Sequence, residues 1–341
     1  MSRSGYCGRF APSPTGPLHA GSIVAAVASY IDARIHRGRW LIRIEDIDPA
    51  REVPGASGQI LATLDALGLE WDGEVVYQSG RHAAYFAALE ILKARGLAYP
   101  CSCSRKEIAR LVGRAPPGAE LRYPGTCRRR APASMRECAW RFLVRPGVET
   151  FIDRLQGPQA FDVAAAVGDF VVRRRDGPFA YQLAVVVDDA EAGVTHIVRG
   201  FDLLDNTPRQ RLLQQALDLP TPIHAHIPLL VDESGNKLSK SVQSPPIEPN
   251  RAAQALWNAL HALGCEPPEE LSGAPPRLIL AWAIEHGSLS RTAGVQRVQA
   301  LPSDLGAPEV SGSIDPGAGT GLSHEPAAPD GGQRSRRRGT T

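Results

Sequence analysis

Short apolar runs alternate with one longer helical pattern at the start of the chain. Tyr6–Phe10 is a short strand candidate, and Ala11–Leu18 is a loop that contains three prolines and a glycine. Apolar side chains then recur every four residues, at Ile23, Val27, Ile31 and Ile35. This spacing predicts a helix over residues 20–37. Trp40–Ile44 is predicted to be the next strand, and a strand, a helix and a strand in this order favour a parallel α/β sheet.

The rest of the chain changes pattern several times. The continuous apolar run Leu183–Val187 is typical of a strand that is buried on both faces. Beyond Ser241, two amphipathic patterns predict a small helical appendage, one through Ala252, Leu256, Leu260 and Leu263 and one over Leu278–Ile284. Gly, Pro, Ala and Ser dominate residues 302–341, which end in an arginine cluster. We expect a disordered tail there, either without a role or acting as a weak phosphate-contacting arm.

These changes predict a division of the chain into five segments. Residues 1–99 and 140–243 would form two halves of one catalytic sheet, and the Cys-, Arg- and Pro-rich residues 100–139 would be an insertion between them. Residues 244–301 would form the helical appendage, and residues 302–341 the tail.

The composition is ordinary for a soluble globular enzyme. Hydrophobic residues make up 43% and charged residues 22% of the 341, and a net charge of +2 neither favours nor excludes a nucleic-acid partner. No apolar stretch is long enough for a secretory signal or a membrane span, so we expect a cytoplasmic location without a membrane partner. The six cysteines should then be thiols or metal ligands rather than disulfides.

Two short motifs could bind a nucleotide. The segment from Pro12 to Ser22 lies where the first strand turns into the first helix, and a helix N-terminus presents free N–H groups to a phosphate. Gly21 would allow a close approach to the backbone, and His19 could donate a hydrogen bond. In Lys237-Leu-Ser-Lys-Ser241, Lys237 and Lys240 could neutralise a triphosphate. Each motif alone is more typical of an ordinary loop, but the two in this order are specific.

With these motifs the sequence resembles the class I aminoacyl-tRNA synthetases. Their two ATP-binding elements, HIGH and KMSKS, read His-Ala-Gly-Ser and Lys-Leu-Ser-Lys-Ser here. The segments at 9–16, 43–46, 198–200 and 206–210 resemble the glutamyl branch. Ser22 replaces the second histidine of HIGH, and Leu238 replaces the methionine of KMSKS. The resemblance covers roughly residues 8–241 and implies an α/β fold with a Rossmann-like parallel sheet.

The resemblance also implies a glutamate pocket and an ATP site. Glutamate carries two carboxylates and one ammonium group, which calls for fixed cations and a fixed anion. Arg9 and Arg199 would bind the carboxylates, Glu45 the ammonium group, and Tyr181 and Ser13 would add hydrogen bonds. The alternative for each is an ordinary structural contact. ATP, as its Mg²⁺ complex, would be bound by His19, Gly21, Ser22, Lys237 and Lys240.

Three closely spaced cysteines predict one structural zinc ion. Cys101, Cys103 and Cys127 lie in the insertion, although their spacing is not the usual C-x-x-C and free buried thiols are the alternative. The resemblance implies that Tyr123 is the fourth ligand, while Cys138 or a water remain rivals. Cys7 and Cys265 are predicted to be plain core or surface thiols.

The resemblance implies a two-step reaction, in which glutamate is activated with ATP and then passed to tRNA. Because only about two helices are predicted after Ser241, we expect no anticodon-reading domain. The shortened form within the family implies that queuosine, in the anticodon of tRNA(Asp), accepts the glutamate, and we expect a monomer. The alternatives are a truncated glutamyl-tRNA synthetase that charges the tRNA 3′ end, and a non-catalytic tRNA- or amino-acid-sensing protein. The basic clusters Arg128–Arg130 and Arg173–Arg175 would contact tRNA phosphates or simply be solvated.

Overall fold

The computed structural model describes residues 5–113, 120–129, 132, 134, 138–238 and 251–301. Its helices are α1 (Ala20–Ile35), α2 (Ala56–Ala66), α3 (His82–Ala94), α4 (Arg105–Val112), α5 (Thr126–Arg129), α6 (Val163–Ala166), α7 (Tyr181–Glu191), α8 (Thr207–Leu217), α9 (Ala252–Ala262) and α10 (Pro276–His286). Its strands are β1 (Cys7–Phe10), β2 (Arg39–Ile44), β3 (Val76–Tyr77), β4 (Ala98–Cys101), β5 (Ala139–Phe142), β6 (Glu149–Asp153), β7 (Gly157–Phe161), β8 (Val171–Arg173), β9 (His196–Gly200), β10 (Ile223–Ile227), β11 (Leu229–Val231) and β12 (Arg297–Gln299). Lys240, Ser241 and the predicted tail lie outside the described residues.

The first βαβ unit forms as the hydrophobic pattern predicts. Strands β1 and β2 pair in parallel, with Cys7 opposite Arg39, and α1 connects them. The helix ends at Ile35 rather than at the predicted residue 37, because Arg37 adopts a left-handed conformation with φ of 52°. The next residue, Gly38, has to be a glycine, because a Cβ at this position would lie 2.5 Å from the Tyr6 carbonyl oxygen.

A cleft opens at one edge of the parallel sheet layer. Strands β1, β2 and β3 form one parallel sheet, and β9 pairs in parallel with β10. The two sets meet at β1 and β9, where the backbone N–H of Thr195 donates to the Cys7 carbonyl at 2.9 Å. The chain thus leaves β1 toward β2 on one side, while β9 and β10 lie on the other. Such a reversal places a ligand crevice at the carboxyl ends of the strands.

The predicted strand over Leu183–Val187 is wrong, because these residues form the middle of α7. Leu183, Ala184, Val185 and Val186 are all at most 2% exposed. The helix packs against α3, α8 and β8, so most of its circumference is buried. A helix covered in this way needs no polar face, and its apolar run then looks like that of a buried strand. The parallel strands of this half are β9 and β10 instead.

An antiparallel sheet of β4, β5 and β8 carries the cysteine-rich region. Its apolar face contributes Ala98, Phe142 and Val172 to a second core together with α3, α7 and α8. The sheet takes strands from both sides of the predicted segment boundary at residue 139. The position of that boundary therefore stays a prediction.

The two C-terminal helices, α9 and α10, lie where the sequence predicts them. Leu256 and Leu260 from α9 and Ile279 from α10 share one core with Ile23 and Val27 of α1. The helical appendage is thus packed directly on the helix that follows the first strand. Within the described part of the chain, no helix has the length and apolar character needed to cross a membrane.

Candidate active site

A cavity of about 280 Å³ lies at the carboxyl ends of the parallel strands. Its walls include these residues predicted from the sequence: Arg9, Ser13, His19, Gly21, Ser22, Glu45, Tyr181, Arg199 and Lys237. They come from β1, the proline-rich loop, the start of α1, the end of β2, the start of α7, β9 and the loop after β11. Backbone bonds hold the proline-rich loop in place, since Glu45 N–H donates to the Pro12 carbonyl at 2.9 Å. The fold therefore brings together residues from distant parts of the sequence.

His19 caps the first helix at one end of the cavity. Its Nδ1 accepts a hydrogen bond from the Ser22 backbone N–H at 3.2 Å, and its Nε2 lies 3.0 Å from the Ser22 hydroxyl. Burial and the nearby Lys237 lower the pKa of His19, so the imidazole is neutral near pH 7. A Cβ on Gly21 would lie 3.3 Å from the His19 ring, so the glycine leaves this ring room.

Lys237 brings a positive charge to the same end of the cavity. Its ammonium group forms an ion pair with Asp202, in the short 3₁₀ segment after β9. The helix N-terminus and this lysine together suit a phosphate group. Lys240, the second lysine predicted for the ATP site, lies outside the described residues.

A buried ion network holds Arg9 and Glu45 in the wall of the cavity. Arg43 Nη1 lies 2.6 Å from Asp189 Oδ1, and its Nη2 lies 3.2 Å from Glu45 Oε1. The same Asp189 oxygen lies 3.3 Å from Arg9 Nε, so two guanidinium groups share one carboxylate. Burial raises the pKa of Glu45, although Arg43 and Arg9 oppose this shift. Sequence reasoning missed Asp189, which contacts this network from a helix about 180 residues away.

Arg199 differs from Arg43 in its partners. Its Nε donates to His226 Nε2 at 3.0 Å, and its Nη2 donates to the Thr207 hydroxyl at 2.8 Å and the Leu203 carbonyl at 3.2 Å. Its Nη1 is buried without a hydrogen-bond partner among the described residues. Burial lowers the pKa of Arg199, but a guanidinium group stays protonated in proteins. The side chain is therefore a buried cation with neutral partners and a free donor, which suits a ligand carboxylate.

Tyr181 lies at the start of α7, in the wall of the cavity near Arg199 and Glu45. Burial raises the pKa of its phenol, and the charge of Glu45 adds to this effect. The hydroxyl is thus neutral and can donate a hydrogen bond to an anionic ligand.

The predicted cysteines meet in a second cluster, away from the cavity. The sulfur atoms of Cys101, Cys103 and Cys127 all lie within 4.8 Å of one another. The Tyr123 hydroxyl lies 3.3 Å from Cys101 Sγ and 3.7 Å from Cys103 Sγ. Cys138, the rival for the fourth position, instead donates its thiol to the Ser134 carbonyl at 3.2 Å and is not among the three clustered cysteines.

The surroundings of the clustered thiols differ, because burial raises the pKa of Cys103 to about 11 while that of Cys127 shifts the other way. Burial alone would raise the pKa of Cys127, but hydrogen bonding to the Ser102 backbone and to Tyr123 lowers it to about 7. Arg141 Nε donates to Cys101 Sγ at 3.2 Å, and its guanidinium carbon lies 3.9 Å from the Tyr123 ring centre. Three sulfur donors and one oxygen donor fit a tetrahedral zinc site. That Tyr123 is the fourth ligand stays a prediction.

The two basic clusters are partly engaged within the protein. Arg128 donates to the Val144 carbonyl at 2.8 Å, and Arg174 lies 2.9 Å from Asp48 as well as pairing with Asp176. Arg175 donates to the Ser102 carbonyl. These contacts neither require nor exclude an additional contact with tRNA.

Comparison with known proteins identifies the family of the chain. The family model "tRNA synthetases class I (E and Q), catalytic domain" matches residues 7–267. The chain is 55% identical over 294 residues to the glutamyl-Q tRNA(Asp) synthetase of Bordetella bronchiseptica, covering 84% of this chain and 91% of that protein. It is 51% identical to the glutamyl-Q tRNA(Asp) synthetase of Pseudomonas aeruginosa, covering 88% of this chain and 99% of that protein. The chain belongs to the glutamyl-Q tRNA(Asp) synthetases of class I.

The fold of this synthetase is also found in solved structures. The crystal structure of glutamate-tRNA synthetase from Elizabethkingia anophelis superposes with a TM-score of 0.72 at 22% identity, covering 89% of this chain and 69% of that chain. This likeness concerns the fold and confirms the predicted Rossmann-like catalytic domain. As a member of its family the synthetase is a ligase, and the comparisons do not favour either alternative function.

Proposed function

We propose that this synthetase activates glutamate with ATP and transfers it to the queuosine base in the anticodon of tRNA(Asp). The observation that carries the proposal is the cavity. Its walls include His19, Gly21, Ser22 and Lys237 from the two phosphate motifs, together with Arg9, Arg199 and Glu45. Fixed cations and a fixed anion match the two carboxylates and the ammonium group of glutamate.

In the first step, an α-carboxylate oxygen of glutamate attacks the α-phosphate of ATP. A new acyl–phosphate bond forms, and the bond to the leaving pyrophosphate breaks. This step needs no covalent nucleophile from the protein, only an in-line arrangement and neutralisation of the departing charge. Lys237 and Lys240 would supply that neutralisation, the neutral His19 would donate a hydrogen bond to a phosphate oxygen, and Mg²⁺ would be bound through the phosphates.

In the second step, the glutamyl group passes from the adenylate to an acceptor on tRNA, and AMP is released. The names of the relatives support tRNA(Asp) as the acceptor, because the chain covers nearly their whole length. Zinc would hold the segment around Cys101, Cys103, Tyr123 and Cys127 folded rather than act on the substrate. A cytoplasmic location and a monomeric state belong to the same proposal.

One experiment separates this proposal from its rivals. The enzyme is incubated with ATP, labelled glutamate and tRNA(Asp) that contains or lacks queuosine, and pyrophosphate exchange is measured in parallel. We expect exchange with glutamate, and label only on the queuosine-containing tRNA. Label on a glutamate-accepting tRNA without queuosine would instead support a truncated glutamyl-tRNA synthetase. Absence of both exchange and label would support a non-catalytic protein.

A further inference from the structure

A buried aspartate–histidine pair lies directly behind Arg199. His226 on β10 is the register partner of Arg199 on β9, and Asp153 ends β6. Asp153 Oδ2 lies 2.6 Å from His226 Nδ1, and both side chains are 0% exposed. The three residues form a chain from carboxylate to imidazole to guanidinium. None of the contacts described for the cavity uses Asp153 itself.

The backbone fixes the orientation of the Asp153 carboxylate. Its Oδ1 accepts the backbone N–H groups of Leu155 at 3.0 Å, Gln156 at 3.0 Å and His226 at 3.1 Å. These bonds and His226 lower the pKa of Asp153, although burial opposes the shift. Oδ2 then accepts from Nδ1 of His226, so the hydrogen of the neutral imidazole sits on Nδ1. Nε2 is left with a lone pair, which accepts the Arg199 Nε–H.

The imidazole gives Arg199 a partner without a charge. Arg43, by contrast, has three carboxylates within 4 Å, those of Asp189, Glu45 and Asp188. No carboxylate lies within that distance of Arg199 in the part of the chain that the structure describes. A buried charge that is not neutralised within the protein attracts an opposite charge from a ligand more strongly.

We propose that His226 and Asp153 are positioning residues that set the substrate specificity of this site. Asp153 fixes the tautomer of His226, and His226 fixes the plane of the Arg199 guanidinium without neutralising it. The full charge of Arg199 then remains available to a carboxylate of the amino-acid substrate. This inference rests on the proposed function, because it concerns how the glutamate pocket selects its ligand.

The groups around the imidazole keep it neutral at physiological pH. Burial, together with the charges of Arg199 and Arg9, lowers the pKa of His226 to about 4, while Asp153 opposes the shift. His224 lies two residues earlier on the same strand, and its ring stacks parallel to that of His226 with ring centres 6.1 Å apart. Burial lowers the pKa of His224 as well, so this imidazole is also neutral. A second charge beside Arg199 is thereby avoided.

Asp153→Asn is the sharpest test, because it changes almost no volume. The three backbone N–H donors would hold the amide oxygen in the Oδ1 position, so the NH₂ group would face His226 Nδ1. The imidazole would then carry its hydrogen on Nε2, which points at the Arg199 N–H. We expect the KM for glutamate in pyrophosphate exchange to rise tenfold or more, with the KM for ATP unchanged within about twofold.

Two further variants separate the bond from the charge. His226→Gln can place an amide oxygen near the Nε2 position, so we expect the KM for glutamate to stay within about threefold of the wild type. His226→Glu offers Arg199 a carboxylate instead, and we expect a rise of tenfold or more although a bond is present. The control is His261→Asn, on α9 outside the cavity, where Nδ1 lies 3.0 Å from the Trp257 carbonyl; no change in either KM is expected.

The outcomes distinguish this inference from the function on which it rests. If the wild-type enzyme shows no glutamate-dependent exchange, the proposed function fails. If it does, but Asp153→Asn and His226→Glu keep a wild-type KM for glutamate, the positioning role is wrong. Equal changes in the KM values for glutamate and ATP, or a lower Tm with both KM values intact, would show a merely structural role and would also overturn it. The His226 variants and Asp153→Asn change the same Asp153–His226–Arg199 chain at different residues. If one variant folds poorly, the remaining variants therefore still test the positioning role.

Discussion

Glu45→Gln tests the proposed ammonium site directly. The carboxylate of Glu45 is 8% exposed and lies beside Arg43, which keeps Asp189 at 2.6 Å when Glu45 becomes neutral. The substitution therefore removes one buried negative charge while the network that holds Arg9 stays in place. A charge-assisted hydrogen bond contributes about 1.5–3 kcal/mol. Since about 1.4 kcal/mol corresponds to a factor of ten, kcat/KM for glutamate should fall roughly tenfold to 150-fold.

The assay is pyrophosphate exchange with glutamate and ATP varied separately. The loss should be seen with glutamate, and the KM for ATP should stay within about twofold. Glu191→Gln is the control, because Glu191 pairs with Arg81 and is 60% exposed outside the cavity. If Glu45→Gln retains a wild-type kcat/KM for glutamate, Glu45 does not bind the ammonium group.

The pH dependence gives an independent check with a definite sign. Burial raises the pKa of Glu45 above its ordinary value of 4.5. As the pH falls through this raised pKa, the carboxylate takes up a proton and can no longer pair with the ammonium group. kcat/KM should therefore fall on the acid side, since it reports on the free enzyme. Bound glutamate would lower the pKa of Glu45 again, so kcat should stay constant to a lower pH than kcat/KM. The Glu45→Gln variant should lack this acid-side fall in kcat/KM.

Three further predictions concern the other motifs. Lys240→Ala should reduce pyrophosphate exchange by about two orders of magnitude with little change in glutamate binding, measured by calorimetry; near-normal exchange would contradict a role at the phosphates. Elemental analysis should find about one zinc per chain in the wild type and none in Cys103→Ser. In this variant, glutamyl transfer to tRNA should be impaired more than adenylate formation. A wild-type protein without metal would refute the zinc site. Gly168→Ala should lower zinc retention, because its φ is 72° and a Cβ would lie 2.4 Å from the Tyr123 carbonyl oxygen. Gly177→Ala, which also strains the backbone (φ of 114°) but meets no atom within 4 Å, should retain zinc.

Local patterns in the sequence predicted the first βαβ unit and both C-terminal helices. The helices α9 and α10 each contrast an apolar with a polar face, whereas α1 was found because apolar residues recur at helical spacing along its 16 residues, although none of them is exposed. The run Leu183–Val187 was misassigned since α7 is buried around most of its circumference and lacks that contrast. Length did not correct the assignment, because an apolar run of five residues flanked by polar residues such as Gln182 and Asp188 also fits a strand. Strands of five residues, such as β9, carry too little periodicity to be found with confidence.

The cavity residues were found through motifs, whereas the residues that hold them were not. Asp189 contacts Arg43 across 146 positions of the sequence, and Asp153 contacts His226 across 73. No local spacing connects such pairs, so a single sequence carries no signal for them. The alternation His224-x-His226 in an apolar stretch was the one available hint of buried polar groups with structural partners.

The packing of α9 and α10 on α1 has a consequence for engineering this enzyme. A minimal catalytic fragment that ended near residue 243 would keep every cavity residue named above, yet it would uncover the apolar side of α1 that Leu256, Leu260 and Ile279 protect. His19 caps that same helix, so loosening the helix would displace a wall of the cavity. Fusion partners or shortened versions are therefore better joined beyond residue 301, where both helices are retained.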